Sequence, residues 1–314
     1  MIELQEVSKV FGRERAVDGI SLTVANGELC VLVGTSGCGK STTLRMINRL
    51  IEHSAGQILI DGRQIRSFNE QVLRRRIGYA IQNTGLFPHW SVARNIGLVP
   101  RLLKWMPARI DVRVTELMEL LGLDPAVFAE KMPAQLSGGQ AQRVGVARAL
   151  AADPDILLMD EPFGALDPIT RETLQDELLR LQSRLRKTIV FVTHDMDEAL
   201  KLADRIVVMS QGRIVQQGTP QALLREPANG FVESLLGGAD RGLKQAGLTR
   251  VAARMQPLGT SRPSRSDPSV GIDDSLRLAL SLMLWHHCES LTVVDGTGRP
   301  VGTLSLHDLL KAAP

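Results

Sequence analysis

The sequence predicts an α/β core interrupted by a helical insert, followed by a second, smaller α+β domain. Three observations predict this. Short apolar, β-rich runs alternate with longer amphipathic stretches over about the first 235 residues. Some runs are apolar throughout, as parallel strands covered on both faces are. Composition then shifts after Leu236, and a compact pattern resumes at Val270. The 314 residues, 44% of them hydrophobic, suffice for one large domain and one small one.

Taken in order, residues 28–33 read as a buried strand and 40–50 as the helix after it. Residues 85–151 are mostly helical in pattern, with Leu117, Leu120 and Leu121 marking an apolar face; this is the insert. Residues 156–159 form a continuous apolar strand, and 188–193 another. Residues 205–209 and 213–217 flank a Gln211-Gly212 turn, the pattern of a hairpin. These elements assign residues 1–236 to the large domain. The Gly-, Arg- and Ser-rich stretch 237–269 reads as a linker, most polar at Arg262-Pro263-Ser264-Arg265-Ser266. The small domain, 270–314, comprises a helix (275–286), a strand (291–294), an Asp295-Gly296-Thr297-Gly298 turn, a strand (301–305) and a short helix to Ala312. No tandem repeat of this unit is evident.

The net charge is +3, from 37 basic and 34 acidic residues, which gives no electrostatic reason to expect a nucleic-acid partner. Arg74-Arg75-Arg76, the one dense basic spot, reads as a solvated helix face. Cys30, Cys38 and Cys288 are widely spaced and odd in number, against a disulfide framework and in keeping with a reducing compartment. The N-terminus carries acids and no long apolar run, unlike a signal peptide. The apolar stretch 278–285 is far shorter than the ~20 residues a membrane helix needs. Action at a membrane would therefore require another polypeptide to supply the crossing.

Gly34-Thr35-Ser36-Gly37-Cys38-Gly39-Lys40-Ser41 satisfies the pattern G-x-x-x-x-G-K-[ST], between a predicted strand and a predicted helix. Phosphate is wrapped by backbone N–H groups, and side chains would block that approach; hence Gly34, Gly37 and Gly39. The positive end of the following helix adds attraction. Lys40 brings a full charge to the β/γ-phosphates, and the Ser41 hydroxyl is placed to hold Mg²⁺. Thr35, Ser36 and Thr42 complete the loop, and Cys38 fills a variable position as a small residue.

The strand 156–159 runs into Asp160-Glu161. A carboxylate at the C-terminal edge of a buried parallel strand lies beside such a phosphate loop, so Asp160 can meet the Mg²⁺ shell. Glu161 points elsewhere and can polarise the attacking water.

Leu136-Ser137-Gly138-Gly139-Gln140 then resembles the signature of ABC ATPases, the P-loop NTPases of ABC transporters. Physically it is a second anion cradle, a Ser and two Gly at a helix N-terminus. The resemblance implies that two copies dock head to tail around two ATPs, so that Ser137, Gly138, Gly139 and Gln140 act in trans. It also implies roles for further positions. Phe11 resembles the aromatic that stacks on adenine, the alternative being a core Phe. Gln82 resembles the glutamine that touches Mg²⁺ and water. Gly164-Ala165-Leu166-Asp167 resembles the D-loop at the dimer interface, and His194 the switch histidine that contacts the γ-phosphate. A soluble ABC protein of DNA repair or translation would need a long coiled-coil insert or two cassettes in one chain, and neither is present.

Residues 81–92, Ile-Gln-Asn-Thr-Gly-Leu-Phe-Pro-His-Trp-Ser-Val, are similar to the corresponding segment of bacterial osmoprotectant importers, as are 40–50 and 99–105. What this resemblance implies is a homodimeric ATPase on the cytoplasmic face of the membrane. It would energise uptake of a quaternary amine through separate permease subunits and, indirectly, an extracytoplasmic solute-binding protein. The C-terminal piece resembles one CBS module. Ser305-x-x-Asp308 is similar to the ribose-binding motif of paired CBS modules, but a helix capping box is the preferred reading. His286-His287-Cys288 does not read as a metal site, because adjacent helical residues point in different directions.

Overall fold

Strand β3 shows how the core is built. Leu29–Gly34 is buried at every position, because neighbours cover both of its faces. The computed structural model describes residues 1–81, 85–164, 166–258 and 268–310. They fold as two compact units, Met1–Pro220 and Gln221–Pro314.

In the first unit, β1 (Ile2–Phe11) and β2 (Glu14–Val24) form an antiparallel pair ahead of β3. Then follow α1 (Lys40–Ile47), β4 (Ala55–Ile60), β5 (Arg63–Gln64), α2 (Glu70–Arg76) and β6 (Ile77–Ala80). The predicted insert is helical as expected: α3 (Val92–Ile96), α4 (Leu98–Leu102), α5 (Pro107–Leu120), α6 (Pro125–Phe128) and α7 (Gly138–Leu150). Leu117 and Leu121, two of the three leucines read as its apolar face, are buried. The unit closes with β7 (Ile156–Asp160), α8 (Pro168–Leu185), β8 (Thr188–Thr193), α9 (Met196–Leu202), β9 (Arg205–Ser210) and β10 (Arg213–Gly218). The last two form the predicted hairpin.

The main sheet has six strands in the order β10-β9-β3-β8-β7-β6, parallel except for β10. A second, four-stranded sheet has the order β2-β1-β4-β5. Alternate residues of the central strands (Cys30 and Leu32, Leu158, Val190 and Val192, Val207) join one core cluster with α1 and the small sheet. Their neighbours Val31, Leu157, Phe191 and Val208 are buried too, on the opposite face. The Arg74 side chain is not merely solvated: it donates to the carbonyl of Asn48 and pairs with Glu70, tying α2 to the end of α1.

Helix α10 (Pro220–Arg225) begins at the boundary, and in the second unit α11 (Gly230–Leu236) precedes α12 (Arg241–Leu248). The division at Pro220 thus falls earlier than the 236 expected, and helix α12 occupies part of the stretch read as linker. A four-stranded sheet, order β11-β14-β13-β12, is made by β11 (Gln256–Pro257), β12 (Ser269–Gly271), β13 (Ser290–Val294) and β14 (Pro300–Ser305). Helix α13 (Leu276–His286) covers it around a core of Val251, Val270, Met283, Leu291 and Leu304. Ser305 and Asp308 settle as the capping box of α14 (Leu306–Leu310): Asp308 N–H donates to Ser305 Oγ at 3.2 Å, and Ser305 N–H to Asp308 Oδ2 at 3.1 Å.

Candidate functional site

Three parallel strands end level with one another. Val33 of β3 pairs with Thr193 of β8, and Val192 of β8 with Asp160 of β7. Their onward chains therefore leave the sheet along one carboxyl edge, where open α/β sheets collect ligands.

From β3 the chain turns through residues 34–39 into α1. Gly39 has φ 103°, and a Cβ there would sit 2.5 Å from the Ala16 carbonyl oxygen. Gly37 has φ 79° and open space around it. Lys40, the first residue of α1, is buried, and its Nζ donates to the carbonyls of Gly34 at 2.7 Å and Thr35 at 2.9 Å. Ser41 Oγ donates to Asp160 Oδ1 at 2.7 Å. Asp160 is 1% exposed; burial pushes its carboxyl above the ordinary carboxylate range, and the Ser41 hydroxyl opposes that. This pair presents only hard oxygen donors, one of them a desolvated carboxylate, and so fits Mg²⁺.

Glu161 stands in the left-handed region, φ 47°, with its N–H donating to Val192 O at 3.0 Å. An L residue is held there only when its surroundings over-determine it. Its carboxylate Oε2 lies 3.3 Å from His194 Nδ1, at the head of the loop after β8. Residues Ser36, Gly37, Cys38, Gly39, Lys40, Ser41, Thr42 and Glu161 line one cleft of about 230 Å³. Phe11, at the end of β1, is 48% exposed beneath the Lys9 ammonium, which excludes the core alternative. Gln82 lies outside the described residues.

Ser137 caps α7. Its Oγ accepts from Gln140 N–H at 3.3 Å, and Gln140 Oε1 accepts from Ser137 N–H at 3.0 Å. Ser137, Gly138, Gly139 and Gln140 line a separate cavity of about 430 Å³ with Arg143, Asp167 and Thr170. It shares no lining residue with the Lys40 cleft.

Three neighbours of Glu161 and His194 escaped the sequence reading. Asp195, Glu198 and Arg171 line a small polar cavity with them. Asp195 caps α9 through the N–H groups of Asp197 and Glu198. Glu198 is buried and accepts from Gln175 Nε2 at 3.0 Å; burial pushes its carboxyl up. The signal for Asp195 was present, a capping residue followed by acids in the first helical turn. Arg171 carries no such signal.

Residues 17–164 match the family model described as ABC transporter, and 263–314 the model of the CBS domain. The glycine betaine uptake system ATP-binding protein YehX of Escherichia coli K12 is 54% identical over 100% of both chains. The glycine betaine/carnitine/choline transport ATP-binding protein OpuCA of Bacillus subtilis 168 is 51% identical over 94% of this chain and 76% of that protein. Among solved structures, the dimeric ATP-binding cassette MJ0796 with bound ADP and Pi superposes with a TM-score of 0.66 at 33% identity. It covers 70% of this chain and 99% of that one.

Proposed function

The chain belongs to the ABC transporter ATPases, and from that premise we propose that it hydrolyses ATP in a homodimer to energise uptake of a quaternary amine. The observation that carries the dimer is the separation of the two cradles: the Lys40 cleft and the Ser137 cavity have no residue in common. Neither cradle alone encloses a triphosphate, and a second copy, turned head to tail, supplies the missing half.

Lys40 holds the β/γ-phosphates at the positive end of α1. Ser41 and Asp160 would hold Mg²⁺, joined by Gln82 if the family resemblance extends to it; the bound ion would neutralise charge on the phosphate oxygens. Glu161 takes the proton of the attacking water as that oxygen bonds to the γ-phosphorus and the β–γ bridge bond breaks. His194, 3.3 Å from the Glu161 carboxylate, steadies it and reaches the γ-phosphate. Phe11 stacks on adenine, with residues 34–42 around the phosphates. Ser137 and Gly139 of the second copy close the pocket, and exclusion of water strengthens each of these electrostatic interactions.

The substrate class rests on the relatives, whose names specify glycine betaine, carnitine and choline. Among the described residues no helix is long and apolar enough to cross a membrane. Separate permease subunits would supply the crossing, with this chain on their cytoplasmic face and a solute-binding protein acting outside.

Complementation tests the composite site. Lys40→Ala and Ser137→Ala should each abolish hydrolysis as homodimers. Mixed in equal amounts, half the dimers are mixed and each has one site whole, so about a quarter of the wild-type rate should return. A mixture as inactive as its components would refute the shared pocket.

A further inference from the structure

Gly164, Leu166 and Asp167 between them touch both halves of the site. On one side Asp167 lines the Ser137 cavity, and a Cβ on Gly139 would meet Leu166 Cδ2 at 2.9 Å. On the other side Gly164 lines the small cavity with Glu161 and His194, and its N–H donates to Glu161 O at 3.3 Å. One side chain bridges Leu166 to the loop after β8. Arg171, on the first turns of α8, donates through Nη2 to Leu166 O at 3.1 Å. Its Nη1 lies 3.8 Å from Asp195 Oδ2, the residue next to His194. Arg171 Nε is buried and has no hydrogen-bond partner among the described residues. The Arg171–Asp195 pair is about one-third exposed on each side, and such pairs add little to folding.

We propose that Arg171 is a positioning residue that ties Leu166 to the His194 loop, so that docking of the second copy's cradle sets the Glu161–His194 geometry. The inference rests on the roles given above to Glu161, His194 and Ser137. A forked guanidinium can grip a carbonyl and a carboxylate together, which an ammonium on a flexible stem does poorly. The signal passes from the Ser137 cavity through Leu166 to Arg171, and from Arg171 to the residue that follows His194.

A double-mutant cycle on ATP hydrolysis by the full chain tests this. Arg171→Gln keeps length and polarity. Asp195→Asn keeps the cap on α9, because Asn caps as well as Asp. Each should lower kcat about 3- to 30-fold, the range such couplings reach, and leave the KM for ATP within about twofold. The double variant should be no slower than the worse single one. Arg171→Lys should fall between wild type and Arg171→Gln, and Arg180→Gln, exposed on the same helix, should be unchanged. Wild-type kcat in Arg171→Gln, or a double variant whose loss is the product of the two, would overturn the proposal; so would a loss confined to KM. Glu161→Gln decides the underlying assignment separately. It should bind ATP and lose roughly 10²–10⁴-fold in turnover, and normal hydrolysis would remove Glu161 as the base whichever way the cycle reads.

Discussion

Two glycines of the phosphate loop should fail in opposite ways when replaced by alanine. At Gly37 the added methyl meets nothing within 4 Å, so the folded chain bears only the left-handed backbone penalty at φ 79°, about 1–2 kcal/mol. At Gly39 the φ is 103° and the methyl would lie 2.5 Å from the Ala16 carbonyl oxygen and 3.1 Å from Val17 Cγ2. That oxygen belongs to the backbone of β2 and cannot swing aside, so overpacking adds about 1–3 kcal/mol to the backbone penalty. For a unit of this size each kcal/mol lowers the midpoint by about 2–4 °C. Gly37→Ala should therefore lower it by about 2–8 °C and Gly39→Ala by about 4–20 °C. Nucleotide affinity runs the other way. Gly37 lines the phosphate cleft, and a methyl there is expected to cost the phosphate a charge-assisted N–H bond worth about 1.5–3 kcal/mol, so affinity should fall about 10- to 150-fold. Calorimetry of the nucleotide-free chain and a titration with ATP measure the two effects. Equal midpoints for the two variants, or Gly37→Ala as the less stable, would refute the reasoning.

Three further outcomes are expected. Ser305→Ala removes the cap of α14, worth about 1 kcal/mol, and should lower the midpoint of the second unit by about 4–8 °C without changing that of the first. His53 is buried, and burial together with the Arg66 charge holds its pKa below the ordinary histidine value; the unfolded chain takes up the proton first, so stability should be lost as pH falls below about 6.5. His53→Leu should flatten that slope in thermal melts between pH 7 and 5.5, and an unchanged slope would exclude His53 as its source. In Lys40→Met, ATP at a hundred times its wild-type Kd should no longer give the about 2.7 kcal/mol of stabilisation, or about 5–11 °C, expected of the native chain.

The chemistry-bearing part of the site was legible because it sits where sequence and geometry are tightly coupled. Strands β3, β7 and β8 are buried on both faces, so they read as unbroken apolar runs, and their last residues had to be Gly34, Asp160 and the approach to His194. The small β2-β1-β4-β5 sheet was not legible as a sheet, since its strands mix buried and exposed positions. Helix α12 was hidden for another reason. Gly242 and Gly247 sit within it, and glycine disfavours helix by about 1 kcal/mol each. Packing of Ala246 against the second core overrides that preference, so a stretch composed like a linker is helical. Arg171 and Asp195 could not be paired from sequence, because only the fold brings α8 beside the loop after β8.

Lys40 and Asp160 explain why such a site is stable enough to fold yet ready to bind. Both are buried, and each would gain from an opposite charge. The loop keeps them from pairing. Lys40 Nζ turns back onto the carbonyls of Gly34 and Thr35, while the next residue, Ser41, gives its hydroxyl to Asp160. Lys40 Nζ and Asp160 Oδ1 therefore each hydrogen-bond to neutral partners and not to one another. A direct Lys40–Asp160 ion pair would be firmer, and it would also close the cleft and leave no reason to bind anything. A magnesium nucleotide offers anion and cation together, so it relieves both deficits at once, and Ser41 can change partner without leaving its place on α1. The backbone of Glu161 breaks a local rule at the same strand end, and the three departures coincide because a site made only of satisfied groups would have nothing left to contribute to binding.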